Sequence, residues 1–393
     1  MKTRLKFDGR PVWAEVSLST ITRNFRAIRR HVGGRRKILA IVKANAYGHG
    51  AVPVTKALAK AGADWFGVTC VSEGAELRAA GVRQQILVLS GFWAGEERSL
   101  IEHRLTPAIT RIDQIRHLER AVASAARSRR VRGPYPIHLK IDTGLNRLGV
   151  SVAEINSVVQ ALADSPHLFL GGTFTHFSSA EDFNSDKNEQ QESLFRVAVD
   201  QLRAARLNPG ILHLANSAAI AARPETWADM VRPGAILYGY HQFFNPPERS
   251  VEAQEKLRIQ PAFSLRARIM AIRDVPAGHG VGYNERFVAE RPSRVAVLAA
   301  GYADGIVRAL TNRGRVLLRG RCVPIVGIVS MDLTMVDVTS LPEVRLGDVA
   351  TIYGSMGPAG PAVWASDVAR LLGSVTSDLL CAVGSRVPRF YLS

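Results

Sequence analysis

The sequence predicts an α/β chain in two parts, a (β/α)8 barrel over residues 1–250 and a mostly β C-terminal domain over residues 251–393. Three observations carry that expectation. The 393-residue length exceeds the size at which one hydrophobic core stops growing, so the chain divides. From about residue 12 to 245, short apolar runs alternate with segments of helical spacing, the pattern of βα units around a parallel sheet, and the span holds the roughly 250 residues of a TIM barrel. Beyond about residue 255 the long helical segments cease, and strand-like runs punctuated by Gly and Pro take over.

The elements follow in order. Leu18, Ile21, Phe25, Ile28 and Val32 keep helical spacing after Ser17, and Gly33-Gly34 stops that helix. A strand of five apolar residues runs from Ile38 to Val42, continuous enough to be buried on both faces. Helix 52–61 ends at Gly62, a strand covers Trp65 to Thr69, helix 72–80 ends at Gly81, and strands follow at 86–89, 137–141, 168–174 and 211–214. Asn245-Pro246-Pro247-Glu248-Arg249-Ser250 has linker composition. The second part reads as strands at 262–272, 294–298, 315–318, 325–329, 335–338 and 349–353.

Composition narrows the class. With 47% apolar and 22% charged residues the chain is an ordinary folded protein. The charged start Met1-Lys2-Thr3-Arg4 has no apolar signal core, and no run approaches the ~18 apolar residues of a membrane span, so a cytoplasmic location is expected. Cys70, Cys322 and Cys381 have neither disulfide nor zinc spacing; buried thiols and no metal are expected. The net charge of +17 is dispersed, and its short runs (Arg35-Arg36-Lys37, Arg127-Ser128-Arg129-Arg130) lack interleaved aromatics. That argues against nucleic acid and for anionic small molecules as partners.

The strand 38–42 drives directly into Lys43, followed by the tight polar loop Ala44-Asn45-Ala46-Tyr47-Gly48-His49-Gly50. The C-terminal end of a barrel strand is where catalytic side chains stand. A lysine drawn partly out of water becomes a reactive amine able to form a Schiff base; the strand pattern alone fits a solvated lysine equally well. The whole segment Val42-Lys43-Ala44-Asn45-Ala46-Tyr47-Gly48-His49-Gly50 resembles the cofactor-lysine signature of the alanine racemases, and the resemblance extends to Arg386-Val387-Pro388-Arg389.

That resemblance implies interconversion of L- and D-alanine on a pyridoxal 5'-phosphate external aldimine, with Lys43 as the cofactor lysine and base toward D-alanine and Tyr283 as base toward L-alanine. It implies that Arg147, in Asp142-Thr143-Gly144-Leu145-Asn146-Arg147, and the Met331 backbone bind substrate. Cofactor contacts would come from Tyr47, His176, Asn216, Ser217, Arg232, Gly234 and Ala235, with Arg232 against the pyridine nitrogen. Lys140 resembles a lysine that many members carbamylate, Tyr302 one of the entrance corridor, and Asp332 a supporting residue. The β domain would reach the barrel mouth of a second protomer, giving a homodimer with shared sites, and the product would supply D-alanine for peptidoglycan. Ser217 read alone is as well an N-cap.

The chain departs from the family pattern at Leu145, where methionine is usual, at Ser330, where cysteine is common, and at Ser385, where some members present a tyrosine to the phosphate. Alternatives are a broader-specificity racemase of the same fold, since one methylene is worth only about 1–3 kcal/mol of discrimination, and a non-catalytic cofactor-binding protein. A decarboxylase would set a carboxylate against the pyridine nitrogen, which Arg232 argues against.

Overall fold

The computed structural model describes residues 10–129, 131–357 and 360–393. They form two compact units, one of Thr20–Ala46 and Ala51–Gln260, the other of residues up to Ser19, Tyr47–Gly50 and Pro261–Ser393. In chain order the first strands are β1 (Val12–Ser17), β2 (Lys37–Ile41), β3 (Trp65–Val68), β4 (Gln85–Val88), β5 (Thr106–Ile109), β6 (Tyr135–Asp142), β7 (Val150–Ser151), β8 (Leu168–Phe174), β9 (Ile211–His213) and β10 (Met230–Val231).

In the first unit, among the described residues, eight parallel strands pair in the order β10-β2-β3-β4-β5-β6-β8-β9, with β7 beside β6. Asp229 N–H donates to Leu212 O at 3.0 Å and Arg232 N–H to Ala215 O at 3.0 Å, which bridges the two ends of that order and all but closes the barrel. Apolar residues fill the strands because both faces are covered: Ile38, Leu39, Ile86, Leu87, Ile109 and Ile137 have no exposed surface. Each such side chain contributes about 1.5–3 kcal/mol by leaving water.

The helices come where the spacing places them, at Leu18–Val32, Ala51–Lys60 and Val71–Ala79. Of the eight barrel strands, two have no counterpart in the sequence reading. β5 contains Pro107, which ordinarily demotes a strand, and β10 is only two residues long. The linker-like stretch 245–250 is fastened rather than loose: Asn245 N–H donates to Glu181 O at 3.0 Å, Phe183 N–H to Asn245 O at 2.7 Å, and a helix runs over Glu248–Lys256.

The second unit is built on β11 (Phe263–Val275), β12 (Gly280–Val281), β13 (Phe287–Val288), β14 (Ser293–Leu298), β15 (Arg315–Leu318), β16 (Arg321–Pro324), β17 (Thr334–Asp337), β18 (Val349–Ser355), β19 (Ala362–Val363) and β20 (Arg389–Leu392). Its main sheet runs β16-β15-β18-β11-β1-β20. The strand expected at 325–329 lies earlier, as β16, and Ile325 makes only an isolated bridge to Val336. Apolarity misled there because Ile325, Val326 and Val329 are buried in loop rather than in a ladder. The thiols also differ from expectation, with Cys322 and Cys381 exposed and Cys70 half-buried. Among the described residues no helix is long and apolar enough to cross a membrane.

Candidate active site

Lys43 follows β2, and the chain then turns left-handed: φ is 51° at Ala44, 53° at Asn45, 54° at Ala46 and 55° at Tyr47. Left-handed backbone costs L-residues roughly 1–2 kcal/mol each, so the turn persists only because it is tied down. Glu73 supplies the tie. Its carboxylate accepts the Ala44 N–H at 2.7 Å and the Thr69 N–H at 2.7 Å. The Asn45 side-chain oxygen accepts the Ala51 N–H at 2.7 Å. Behind the lysine, Ile41 N–H donates to Pro233 O at 3.0 Å and the Tyr238 hydroxyl donates to Ile41 O at 2.8 Å.

Arg232 is buried below this level of the barrel. Its Nη1 donates to the His213 carbonyl at 2.6 Å and to His213 Nδ1 at 3.1 Å; its Nη2 donates to Thr175 O at 2.7 Å, Leu214 O at 2.8 Å and His176 Nδ1 at 3.3 Å. Among the described residues Nε has no acceptor and no carboxylate faces the group. Burial pushes Arg232 down to about 9, which leaves it charged at neutral pH. Guanidinium only donates, so both histidines must accept at Nδ1 and carry their proton on Nε2. His213 Nε2 then donates to His138 Nδ1 at 3.0 Å, which fixes His138 as the Nε2–H form too. Burial, then the Arg232 charge, holds His176 and His213 well below the ordinary histidine value, so they stay neutral.

Lys140 shares a face of β6 with His138 and is buried. Burial first, then the charges of Arg147, Arg232 and Lys43, push it down to about 8, against a smaller opposing pull from Asp142. The four cations therefore form one electrostatic cluster. Arg147 is exposed on a loop shaped by Asp142, whose Oδ1 accepts the N–H groups of Gly144 and Asn146 at 3.0 Å each. Gln191 ties this loop to the end of β8, donating to Thr143 Oγ1 at 3.2 Å and to the His176 carbonyl at 3.1 Å.

The segments around Ser217 and Gly234 are laced together. Asn216, not Ser217, caps the helix Ser217–Ala222, its side-chain oxygen accepting the Ala219 N–H at 3.1 Å. Ser217 is the first helical residue, and its Oγ accepts the Gly234 N–H at 2.8 Å. Its hydroxyl proton and the first-turn N–H groups of Ser217 and Ala218 are then available to an anion. Ala235 opens the short 3-10 turn that follows Gly234.

The second unit holds the remaining residues. Burial pushes the Tyr47 phenol up to about 12, with a smaller push from Cys381, so it is a neutral donor. Tyr283 is 69% exposed on a turn with positive φ at Gly282, Asn284 and Glu285. Tyr302 and Met331 are also exposed and are zipped together: Tyr302 N–H donates to Ser330 O at 2.9 Å and Ala303 N–H to Met331 O at 3.0 Å. Asp332 Oδ1 accepts from Arg10 at 2.7 Å and from Arg386 at 2.8 Å, and its carboxyl is held low first by the Arg386 hydrogen bond. Arg386 also donates to buried Asp304 at 2.8 Å.

Sequence reasoning missed Glu73, Gln191, His138 and His213. The two histidines could have been found, because each interrupts an otherwise apolar strand and His138 alternates with Lys140. Glu73 and Gln191 carry no such mark, being polar residues on helices.

The family model for the alanine racemase N-terminal domain matches residues 16–242, and that for the alanine racemase C-terminal domain matches residues 262–391. The alanine racemase of Symbiobacterium thermophilum is 37% identical over 388 residues, covering 98% of this chain and 99% of its own. The crystal structure of alanine racemase from Streptomyces lavendulae is similar with a TM-score of 0.89 at 34% identity, covering 98% of each chain. That of Bartonella henselae, which carries covalently bound pyridoxal phosphate, has a TM-score of 0.85 at 27% identity, over 98% of this chain and 100% of that one. The chain belongs to the alanine racemase family.

Proposed function

We propose that the chain interconverts L-alanine and D-alanine with pyridoxal 5'-phosphate as cofactor. The observation that carries this reading is the environment of Arg232, whose acceptors are carbonyls and imidazoles with no carboxylate among the described residues. The residues present fit the cofactor. Lys43 offers an amine for its aldehyde, Arg232 Nε is a donor lacking an acceptor for its ring nitrogen, and Asn216, Ser217, Gly234, Ala235 and Tyr47 offer neutral donors for its phosphate. When bound, pyridoxal phosphate supplies the electron sink that makes the α-proton of alanine removable.

The chain's own groups then divide the proton transfers. Lys43 Nζ takes the α-proton of D-alanine on one face, and the Tyr283 phenolate takes that of L-alanine on the other. His176 assists the second base: with Nδ1 held by Arg232, its Nε2–H is a fixed donor for the Tyr283 oxygen. Arg147 and the Met331 N–H hold the substrate carboxylate, and Lys140, once carbamylated and so anionic, pins Arg147. The exposure of Tyr283, Tyr302 and Met331 supports their service to a second copy, in a homodimer with shared sites. A cytoplasmic enzyme supplying D-alanine for peptidoglycan fits this reading.

The test is racemisation of L-alanine by purified protein with and without added cofactor, beside Lys43→Ala, Tyr283→Phe and a panel of larger amino acids. Turnover confined to alanine and lost in both variants supports the two-base reading. Turnover of lysine, arginine or serine would widen the substrate class, and cofactor binding without turnover would replace the enzyme with a binding protein.

A further inference from the structure

At the opposite end of the barrel from Lys43, where β2, β8 and β9 begin, lies a cavity of about 930 Å³. That volume is within the range of small-molecule sites. Barrel bottoms ordinarily carry packing rather than chemistry, and this one departs from that in three ways.

The first is charge. Arg35 and Lys37 line the cavity, both exposed, and neither has a carboxylate within ion-pair distance among the described residues. The one carboxylate that lines it, Asp229, already accepts the Leu212 N–H at 2.9 Å. The second is an apolar wall of Leu168, Phe169 and Leu207, in which the Phe169 ring is 46% exposed, where a purely structural role would bury it. The third is a bare backbone floor. The register between β6 and β8 shifts at Gly171, and Gly210, at φ +67°, sits so close that an added Cβ would lie 2.3 Å from the Gly171 carbonyl carbon. Asn208 lies beside it with its Oδ1 accepting the Gly210 N–H at 2.9 Å, which leaves the amide protons to donate.

We propose that this cavity binds a small organic anion with an apolar body, of the medium-chain carboxylate class. Its charged end lies on Arg35 and Lys37, and its chain runs along Leu168, Phe169 and Leu207. An inorganic anion leaves the apolar wall wetted, and an uncharged lipid leaves both cations unmatched.

The experiment is calorimetric titration of the holoenzyme with decanoate below its micelle range, with decanol and inorganic phosphate as comparators and anionic phosphatidylglycerol vesicles as a separate arm. The expected result is one saturable decanoate site per chain. Arg35→Glu and Phe169→Asp each weaken it by about tenfold or more, equivalent to about 1.4 kcal/mol. Both positions are exposed, so circular dichroism and melting temperature should match the parent, and Arg35→Lys should retain binding. Decanol and phosphate should not compete. Absence of saturable binding, equal affinity in both variants, or binding to vesicles without binding to free decanoate would overturn the proposal.

Discussion

Arg232 and His213 are joined twice, Nη1 donating to the imidazole Nδ1 at 3.1 Å and to the carbonyl oxygen of the same residue at 2.6 Å. This pair of hydrogen bonds sets backbone and ring together, so the guanidinium plane and the histidine tautomer are one structural decision. Arg232→Glu would set a carboxylate against the cofactor's ring nitrogen, favouring its protonation and a stronger electron sink, so increased transamination is its expected sign. It also strips donors from three buried carbonyls, at about 1–3 kcal/mol for each group left unsatisfied. Arg232→Lys keeps the charge and is expected to fold better than Arg232→Glu while also raising transamination. Product partitioning and melting temperature, measured on both, separate the two effects; unchanged partitioning in both would remove the proposed role.

Glu73 should matter to catalysis although it carries no chemistry. Glu73→Gln keeps one acceptor but turns an N–H toward another N–H, weakening two short charge-assisted bonds worth about 1.5–3 kcal/mol each. The left-handed turn after Lys43 then loosens. The expected outcome is kcat reduced by about tenfold or more, as for a loss of about 1.4 kcal/mol in the transition state, with a smaller change in KM. Equal kcat in the variant would show that the turn holds itself.

Lys140, pushed down from 10.5 to about 8, gives a stability signature of defined sign. Between pH 8 and 10.5 the unfolded chain holds a proton that the folded chain has released, so folding stability rises with pH across that window and is flat below it. Lys140→Met should lack this rise in urea denaturation at pH 7.5 and pH 10. The same shift leaves about half of the amine neutral at pH 8. Neutral amine reacts with carbon dioxide to form a carbamate and release a proton, so added bicarbonate is expected to raise activity in the parent and leave Lys140→Met unaffected. Carbon-13 bicarbonate and NMR read the carbamate carbon directly.

His138 is held neutral, its value pushed to about 3 mainly by burial and secondarily by the Lys37 charge. The unfolded chain protonates it near 6.5, so its contribution is fully present above that pH and is lost as pH falls toward 3. His138→Asn should reduce the acid slope of stability between pH 6 and 4 by one proton, about 1.4 kcal/mol per pH unit. Nitrogen-15 spectra should place the parent's proton on Nε2; a proton on Nδ1 would break the line of donors from Arg232.

The sequence made Lys43 legible because five apolar residues run straight into it at the end of a buried strand, and the resemblance of the whole segment Val42–Gly50 to a cofactor-lysine signature tipped a pattern that alone fits a solvated lysine equally well. The barrel strands at 38–42 and 168–174 were legible for the same reason. β5 was not, since Pro107 obscures its pattern, nor β10, which is too short for any period to show. Glu73 escaped because its importance comes from two backbone N–H groups, and backbone donors leave no trace in a sequence. Which residue caps the helix at 217 was not legible, because Asn and Ser compete equally for that position; Asn216 takes it and Ser217 opens the first turn.

β1 pairs with β11 from Val12 opposite Ala267 to Val16 opposite Phe263, and with β20 on its other side, although the whole barrel intervenes in the chain. A fragment beginning at Pro261 would therefore lose an internal strand and present two open edges, the arrangement most prone to self-association. Recombination between relatives faces the same obstacle: a crossover near residue 260 gives β1 and β11 different parents across five matched positions. What is exchanged between such proteins without refitting is the entire reading frame, not its halves.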